Sequence, residues 1–184
     1  MAILLALTDF KGGKYDHPDA DGQFTKVPYF QACIDLHERP YIHKLLGVTT
    51  GNLLITYIQA NLNTNADYNK IIAPFAEDGG YWPSYDCHHK TIMESVGLKE
   101  YLKAAIFYEY VTDRSMITSQ AGVTINKSET ANIQYPASSM RFAEKKFNSL
   151  LGTIEAIQWY CTKNKTAFPD YNGQRIPVKA SNIF

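Results

Sequence analysis

The sequence predicts a mainly α fold: a helical bundle with a projecting β-hairpin arm and extended segments at both ends. Between Ser139 and Lys163, apolar residues recur with the helical period and form one stripe. From Leu98 to Val111 the chain is apolar nearly all round, which is typical of a helix enclosed by its neighbours. Around Val123, apolar and polar residues alternate as they do in a strand.

Length and charge limit the class of protein. The 184 residues suffice for one domain with a sizeable core, which we expect over residues 1–171, followed by a tail at 172–184. Lysine and arginine number 18 against 18 acidic residues, without a long run of either sign. The basic patch of a dedicated nucleic-acid binder is therefore missing. The 13 tyrosines, nine phenylalanines and two tryptophans suit protein interfaces as well as cores.

The cysteines and the first residues bear on the compartment. Cys33, Cys87 and Cys161 are odd in number and widely spaced, which indicates core packing in a reducing environment rather than a disulfide framework. The apolar run that ends at Leu7 is too short and lacks the basic leader expected of a signal peptide or membrane span. We expect a strand there, within an extended arm or small β-element at residues 1–26.

Helices are predicted over residues 28–115. Pro28 suits a first helical turn, Pro40 is expected to interrupt that helix, and Gly47 to end a second short one. Thr50 is expected to cap the next helix. After a short helix that ends at Phe75, residues 77–83 are predicted to form a loop.

A hairpin arm is predicted over residues 117–137. Val123 and Ile125 are assigned to one strand, and Ile133 and Tyr135 to its partner, with the polar residues between them as the turn. One long helix is then expected over residues 139–164, capped by Ser138 or Ser139.

Candidate chemical sites are weak. His37 and His43 lie six residues apart with a proline between them, so they do not share a helical face and are expected to be structural. Residues 86–89 (Asp-Cys-His-His) point in diverging directions on a helix, and residues 17–28 lack the calcium-loop glutamate. No nucleophile elbow or phosphate-binding loop is present. We therefore predict no catalytic residue, no cofactor and no metal.

Three motifs carry a resemblance to a known family. They are Tyr41–Gly47 (YIHKLLG), Gly122–Val123 in the arm, and Phe168–Tyr171 (FPDY). In order and separation, over residues 28–171, they resemble the head-to-tail connector proteins of tailed bacteriophages, also called adaptor or head-completion proteins. The likeness is greatest to those of Bacteroidetes phages and crAss-like phages.

The resemblance implies a structural protein of the virion and not an enzyme. Family members are helical bundles that form a ring of about twelve copies on the portal protein, where they extend the DNA channel and meet other connector or tail proteins. DNA would pass without sequence-specific binding, and no membrane would be involved. The protein would act at the head–tail junction, after assembly in the host cytoplasm. A small all-α enzyme or regulatory binding module is the alternative.

Three sets of contact residues are predicted. The polar face of the long helix is expected to form a subunit interface of Arg141, Gly152, Glu155 and Trp159, since residues 141 and 159 lie five helical turns apart. The hairpin is expected to pair with a neighbour through Val123, Ile125, Ile133 and Tyr135. The tail has little means of ordering itself and is expected to dock on the portal through Arg175, Ile176, Val178, Lys179, Ile183 and Phe184.

Overall fold

The computed structural model describes residues 3–11, 14–15, 27–62, 64–81, 90–119, 122–125, 136–174, 176–177 and 179. The chain is mainly helical with β-hairpins, which confirms the predicted fold class. A 3-10 helix covers Leu7–Phe10. The α-helices are α1 Val27–Leu46, α2 Val48–Gln59, α3 Ala66–Ile72, α4 Leu98–Ser115, α5 Pro136–Asn148 and α6 Leu151–Lys163. The strands are β1 Phe75–Tyr81, β2 Lys90–Ser95, β3 Met116–Ser119 and β4 Gly122–Ile125.

The chain divides into two compact units that interleave in sequence. The first unit comprises Met1–Glu38, Lys103–Ser149 and Pro177–Phe184, and the second comprises Arg39–Leu102 and Leu150–Ile176. The division into a domain at residues 1–171 and a tail at 172–184 stays a prediction. Helices α1 and α4 each contribute residues to both units.

Aromatic rings build the core of the first unit. Phe30 on α1 meets Phe10 at 4.8 Å and Tyr110 on α4 at 4.6 Å, ring centroid to ring centroid, both edge to face. Helix α4 also packs on α5, since the rings of Tyr108 and Phe147 lie 6.1 Å apart. Edge-to-face pairs place the positive ring edge on the negative face and add to the gain from burial. This core joins the 3-10 helix, α1, α4 and α5.

A buried carboxylate holds the first residues of the chain on α1. Glu38 is 1% exposed and accepts the backbone N–H groups of Ile3 (2.6 Å), Leu4 (2.7 Å) and Leu5 (2.9 Å). We expected a strand here, and that expectation is wrong for the described residues 3–11. The three backbone amides donate to one carboxylate instead of pairing in a sheet. Their hydrogen bonds replace those that the carboxylate would make to water if it were exposed.

A second aromatic core lies in the other unit. Phe168, which is 1% exposed, contacts the rings of Tyr68 at 5.6 Å and Tyr160 at 6.1 Å. Tyr160 on α6 also meets Phe75 on β1 at 5.5 Å. The hairpin β1–β2 is antiparallel, with Phe75 opposite Ser95, and β2 packs on α6. This core explains the Phe168–Tyr171 motif structurally, because Phe168 is its anchor.

The end of α1 is capped by a distant part of the chain. A helix leaves its last four carbonyl groups without intrahelical partners. Here the His43 carbonyl accepts from Gly47 N at 2.8 Å, and the Leu45 carbonyl accepts from Gln158 Nε2 at 3.3 Å. The carbonyls of the remaining two residues accept backbone N–H groups of the 172–174 segment: Lys44 O from Gln174 N at 2.8 Å and Leu46 O from Asn172 N at 3.5 Å.

Glycine is required at the junction of these segments. Gly47 has φ +81°, and a Cβ there would lie 2.8 Å from the Asn172 carbonyl oxygen. A Cβ on Gly173 would overlap the Leu45 carbonyl oxygen. The Leu-Leu-Gly turn and the chain after Tyr171 therefore approach backbone to backbone.

Pro40 does not interrupt α1, so the predicted break is wrong. The proline is exposed within one continuous helix from Val27 to Leu46. Buried residues flank it on both sides, with Ile34 before it and Tyr41, Ile42 and Leu45 after it. Most helical stability comes from such tertiary packing, which here outweighs the missing hydrogen bond.

Residues 28–115 are not helical throughout, because the predicted loop at 77–83 contributes to a strand. Pro74 lies directly after α3, and Phe75–Tyr81 then pairs with Lys90–Ser95. The second strand contains Thr91, Ile92 and Met93, types that suit a pleated surface. Glycine and acidic residues make up most of the first strand, and these residue types are depleted in strands, so its composition predicts a loop.

The arm hairpin has a different partner strand from the one predicted. β4 pairs with β3, the strand before it, in the register Thr118 opposite Val123 and Met116 opposite Ile125. Only two residues separate β3 from β4, and two-residue connections are the commonest link between antiparallel strands. Ile133 and Tyr135 lie outside the described residues.

The long helix expected at 139–164 is two helices, α5 and α6. The helical backbone is interrupted at Ser149–Leu150, where Leu150 has φ −103° and ψ 7°. The Ser149 hydroxyl donates to the Lys146 carbonyl at 2.8 Å, an alternative to continuing the helix. The apolar stripe is confirmed at six of its seven positions, while Leu151 is only half-buried. The buried residues are Ala143, Phe147, Leu150, Ile154, Ile157 and Cys161.

Replacing the buried carboxylate should destabilise the first unit. In Glu38→Gln the amide NH2 faces an N–H donor, so one of the three hydrogen bonds is lost and a donor is left unsatisfied. We expect the free energy of unfolding to fall by about 1.5–3 kcal/mol in urea titration. Asp35→Asn, an exposed change on the same helix, should stay within about 0.5 kcal/mol of wild type. Equal stability of Glu38→Gln and wild type would contradict the anchoring role.

Adding a methyl group at the α1 cap should also be costly. Gly47→Ala forces an L side chain into a backbone conformation that only glycine adopts easily, so we expect a loss of at least about 1–3 kcal/mol in thermal unfolding. Gly152→Ala is the matched control, because nothing lies within 4 Å of its added Cβ on α6. That change should raise stability by a few tenths to about 1 kcal/mol. Similar effects at the two glycines would refute the close approach at Gly47.

Candidate interaction surface

One face of α6 is open. Gly152 and Glu155 are exposed, Trp159 is half-buried, and their spacing places them on one side of the helix. A Cβ added to Gly152 meets nothing within 4 Å. The ammonium of Lys163 lies 4.5 Å from the centroid of the Trp159 ring, a cation–π contact that covers part of the indole. These four residues form what we call the α6 face.

Arg141 lies on a different helix from the other predicted members of the interface. It is exposed on α5 in the first unit, whereas Gly152, Glu155 and Trp159 belong to α6 in the second. The alignment of residues 141 and 159 required one continuous helix, and the interruption at Ser149–Leu150 removes it. Whether Arg141 shares an interface with the three residues on α6 stays a prediction.

The described residues of the tail lie against the chain itself. Asn148 clamps the backbone of Lys179: its Nδ2 donates to the carbonyl at 2.8 Å, and its Oδ1 accepts the N–H at 2.9 Å. The Lys179 ammonium lies 3.6 Å from Glu109 Oε1 and 4.6 Å from the centroid of the Tyr108 ring. Ile176 is buried, at 8% exposure.

The expectation that the tail cannot order itself is therefore wrong for residues 172–174, 176 and 179. Backbone amides that cap α1 and an asparagine clamp supply the order that apolar periodicity does not. Arg175, Val178, Ile183 and Phe184 lie outside the described residues. Whether any tail residue docks on a partner stays a prediction.

Much of the aromatic content serves the cores. Tyr41, Tyr101 and Tyr110 are at most 2% exposed, as are Phe10, Phe30, Phe147 and Phe168. Tyr29 and Phe142 are the large exposed aromatics among the residues whose burial is described. The abundance of aromatic residues is thus a weaker sign of an interface than the sequence suggested.

A polar network crosses the second unit between α3, β1 and α6. Lys70 forms a short ion pair with Glu77, and Lys163 lies 3.5 Å from the other oxygen of that carboxylate. The hydrogen bond from Lys70 and the charge of both lysines hold the pKa of Glu77 below its usual value, against a smaller opposing effect of burial. The Tyr160 hydroxyl donates to Asp67 Oδ1 at 2.6 Å, and burial together with this bond raises the pKa of Tyr160.

A mixed set of metal-ligating side chains meets in the first unit. The ligand atoms of Cys33, His37 and Asp113 all lie within 4.8 Å of one another. His37 Nε2 is buried and has no hydrogen-bond partner among the described residues. His43, in contrast, has its Nε2 3.0 Å from Asn52 Oδ1, as expected of a structural histidine.

Only part of this set is visible in the sequence. Cys33 and His37 lie four residues apart, so they share a face of α1, but Asp113 is distant in sequence and only the fold brings it near. Residues 86–89 lie outside the described part of the chain.

The two described cysteines are unpaired and buried. Burial raises the pKa of the Cys161 thiol to about 12. Burial, with the nearby carboxylates of Asp113 and Glu109, raises the pKa of Cys33 to about 12. A protonated thiol is a poor nucleophile, so neither side chain suits nucleophilic catalysis without a bound cation or base.

Comparison with known proteins adds no family: no protein-family model, curated protein or solved structure matches the chain. Among the helices that the structure describes, we find none with the length and apolar character needed to cross a bilayer.

Acid should weaken the Glu77 network. Because its pKa is lower in the folded chain than in the unfolded chain, Glu77 contributes stability above about pH 5 that is lost as pH falls through the folded-state pKa. The group is partly exposed, so the contribution is less than about 1 kcal/mol. In Glu77→Gln, the free energy of unfolding should fall less steeply between about pH 5 and pH 3 than in wild type. Glu94→Gln, an exposed change on β2, is the control. Parallel pH profiles of Glu77→Gln and wild type would refute the ion pair.

Proposed function

We propose that this chain is a virion structural protein: a subunit of the ring that docks on the portal of a tailed bacteriophage and joins head to tail. In that role it is a scaffold and not an enzyme. The partners are other copies of the chain, the portal protein, and connector or tail proteins on the far side. DNA passes through the ring without sequence-specific contacts.

The order of the motifs that resemble connector proteins supports this proposal. In the fold, the Leu-Leu-Gly motif packs against the segment that follows the Phe168–Tyr171 motif. Leu45 and Leu46 of the Leu-Leu-Gly motif are buried, and Gly47 touches the backbone of Asn172. Phe168 anchors the second core directly before that segment. The two motifs thus meet at the α1 cap, so a chain that keeps this junction must keep both.

The α6 face is the observation that carries the subunit contact. A helix that presents a glycine with open space above it can admit a neighbouring element closely, because no side chain holds that element away. A tryptophan two turns along is the residue type most often responsible for binding energy in interfaces. Glu155, exposed between them, offers a charge for pairing at the rim.

The tail contact is best assigned to its last residues. Ile176 and Lys179 already contact the chain itself, so their use in docking would require those contacts to be given up. Ile183 and Phe184 carry apolar side chains that fit a groove or a sheet edge of a partner. The hairpin β3–β4 offers a second attachment, because a two-stranded hairpin needs packing partners for stability.

Blocking the α6 face should prevent ring assembly. Gly152→Gln places a long side chain in the open space while keeping a good helix former, and Trp159→Ala removes the expected hot spot, at a typical cost of about 2 kcal/mol or more per contact. We expect both variants to stay folded and to lose ring-decorated portals in electron micrographs of mixtures with portal protein.

The matched control for Gly152→Gln is Thr56→Gln, an exposed change on α2. It should assemble as wild type does. Rings that form equally well from Gly152→Gln, Trp159→Ala and wild type would place the subunit contact elsewhere.

Removing residues 180–184 should abolish portal binding without unfolding the protein. The deletion leaves the α1 cap, Ile176 and the Asn148–Lys179 clamp intact, so the melting temperature should change little. Portal binding, measured by cosedimentation, should be lost. The longer deletion of residues 172–184 removes the cap as well and should lower the melting temperature. Normal portal binding by the shorter truncation would refute docking through the last residues.

A further inference from the structure

We propose that Cys33, His37 and Asp113 form a binding site for a divalent transition metal, best suited to zinc, with a fourth position left for water or a ligand. The set combines a sulfur, an imidazole nitrogen and a carboxylate oxygen, all within 4.8 Å of one another. Zinc accepts these three ligand types, and three protein ligands with an open position are its usual arrangement outside structural sites.

The backbone positions two of the ligands. Cys33 and His37 are separated by one helical turn on α1, the spacing at which two side chains on a helix face the same ion. The Cys33 sulfur is buried and contacts the Ile106 carbonyl on α4 only weakly, at 3.9 Å. Asp113 extends from the later part of α4 and completes the set from the opposite helix.

The surroundings of His37 support the metal site independently of the distances between the ligand atoms. Its Nε2 is buried and lacks a hydrogen-bond partner among the described residues, although a buried polar atom normally has one. A metal ion is a partner that satisfies an imidazole nitrogen through its lone pair. Such an ion would also link α1 to α4, beside the Phe30–Tyr110 contact between the same helices.

The distances require only a local adjustment. Zinc bonds of about 2.0–2.3 Å in a tetrahedron hold the donor atoms about 3.3–3.8 Å apart. The ligand atoms must therefore close by at most about 1.5 Å. Asp113 is exposed, so its side chain can rotate toward the two helix-borne ligands without disturbing the core.

The surrounding charge is negative, which favours a cation. Glu109, one turn before Asp113 on α4, faces the same region as Cys33. Its carboxylate is paired with Lys179 at 3.6 Å, so the lysine partly offsets it. Asp113 adds a second carboxylate beside the thiol of Cys33. A divalent ion that binds Cys33 would displace the thiol proton to solvent and balance the resulting negative charge.

The test uses the 184-residue chain, stripped of metal with a chelator and titrated with Co²⁺ as a spectroscopic substitute for zinc. We expect saturation at one equivalent, a visible spectrum of tetrahedral intensity, and a thiolate-to-cobalt charge-transfer band that added Zn²⁺ abolishes. Zinc in hundredfold excess over its Kd should raise the melting temperature by roughly 5–10 °C.

Matched variants assign the ligands. Cys33→Ser should remove the charge-transfer band, and Asp113→Asn should weaken Co²⁺ binding at least about tenfold. The controls change the same residue types elsewhere: Cys161→Ser, His43→Gln and Asp35→Asn should bind as wild type does. Because Asp113 is exposed, its variant tests the site even if Cys33→Ser fails to fold.

Three results would overturn the proposal. One is the absence of saturable binding by wild type. Another is a charge-transfer band that survives in Cys33→Ser but disappears in Cys87→Ser, which would assign the metal to residues 86–89. The third is unchanged affinity in folded Asp113→Asn.

Discussion

Helix α1 is the element on which the rest of the structure depends, because polar groups along it must be satisfied by distant parts of the chain. Its buried Glu38 accepts hydrogen bonds from the amides of residues 3–5, and its last carbonyls are capped by Gln158 and the 172–174 segment. An unsatisfied buried carboxylate or helix end is costly, so these bonds hold residues 3–5 and the 172–174 segment on α1. The bonds to Glu38 lie within the first unit, and the bonds that cap α1 lie within the second.

The same constraint explains which parts of the fold sequence patterns could predict. Apolar periodicity over α4 and over the α5–α6 stripe reflects burial directly, so those helices were predicted from it. The break at Ser149–Leu150 leaves that periodicity intact and was missed, although it separates Arg141 from Trp159. Pro40 was expected to break α1, because local helix propensity does not measure the packing of the residues on either side of it. Contacts between distant residues, such as Asn148 with Lys179, have no local signal at all.

The candidate sites also differ in how far the sequence could predict them. The α6 face could be predicted in part, because residues that repeat at helical spacing share a face whatever the fold around them. The Cys33–His37–Asp113 set could not, since one of its three members comes from a helix that begins more than fifty residues later. His37 and His43 have different surroundings. His43 lies within hydrogen-bond distance of Asn52, whereas His37 lies beside Cys33 and Asp113.

The connector proposal and the α6 face bear on each other. A ring subunit must have a stable core of its own and also an exposed surface for a neighbouring subunit. In this chain buried aromatic rings form the cores, and Gly152 and Glu155 on α6 are exposed. The most direct measurement is the native mass of the protein, alone and mixed with portal protein. The proposal predicts a multiple of the 20.8 kDa subunit bound to the portal assembly. A protein that remains a monomer and adds no mass to the portal would contradict it.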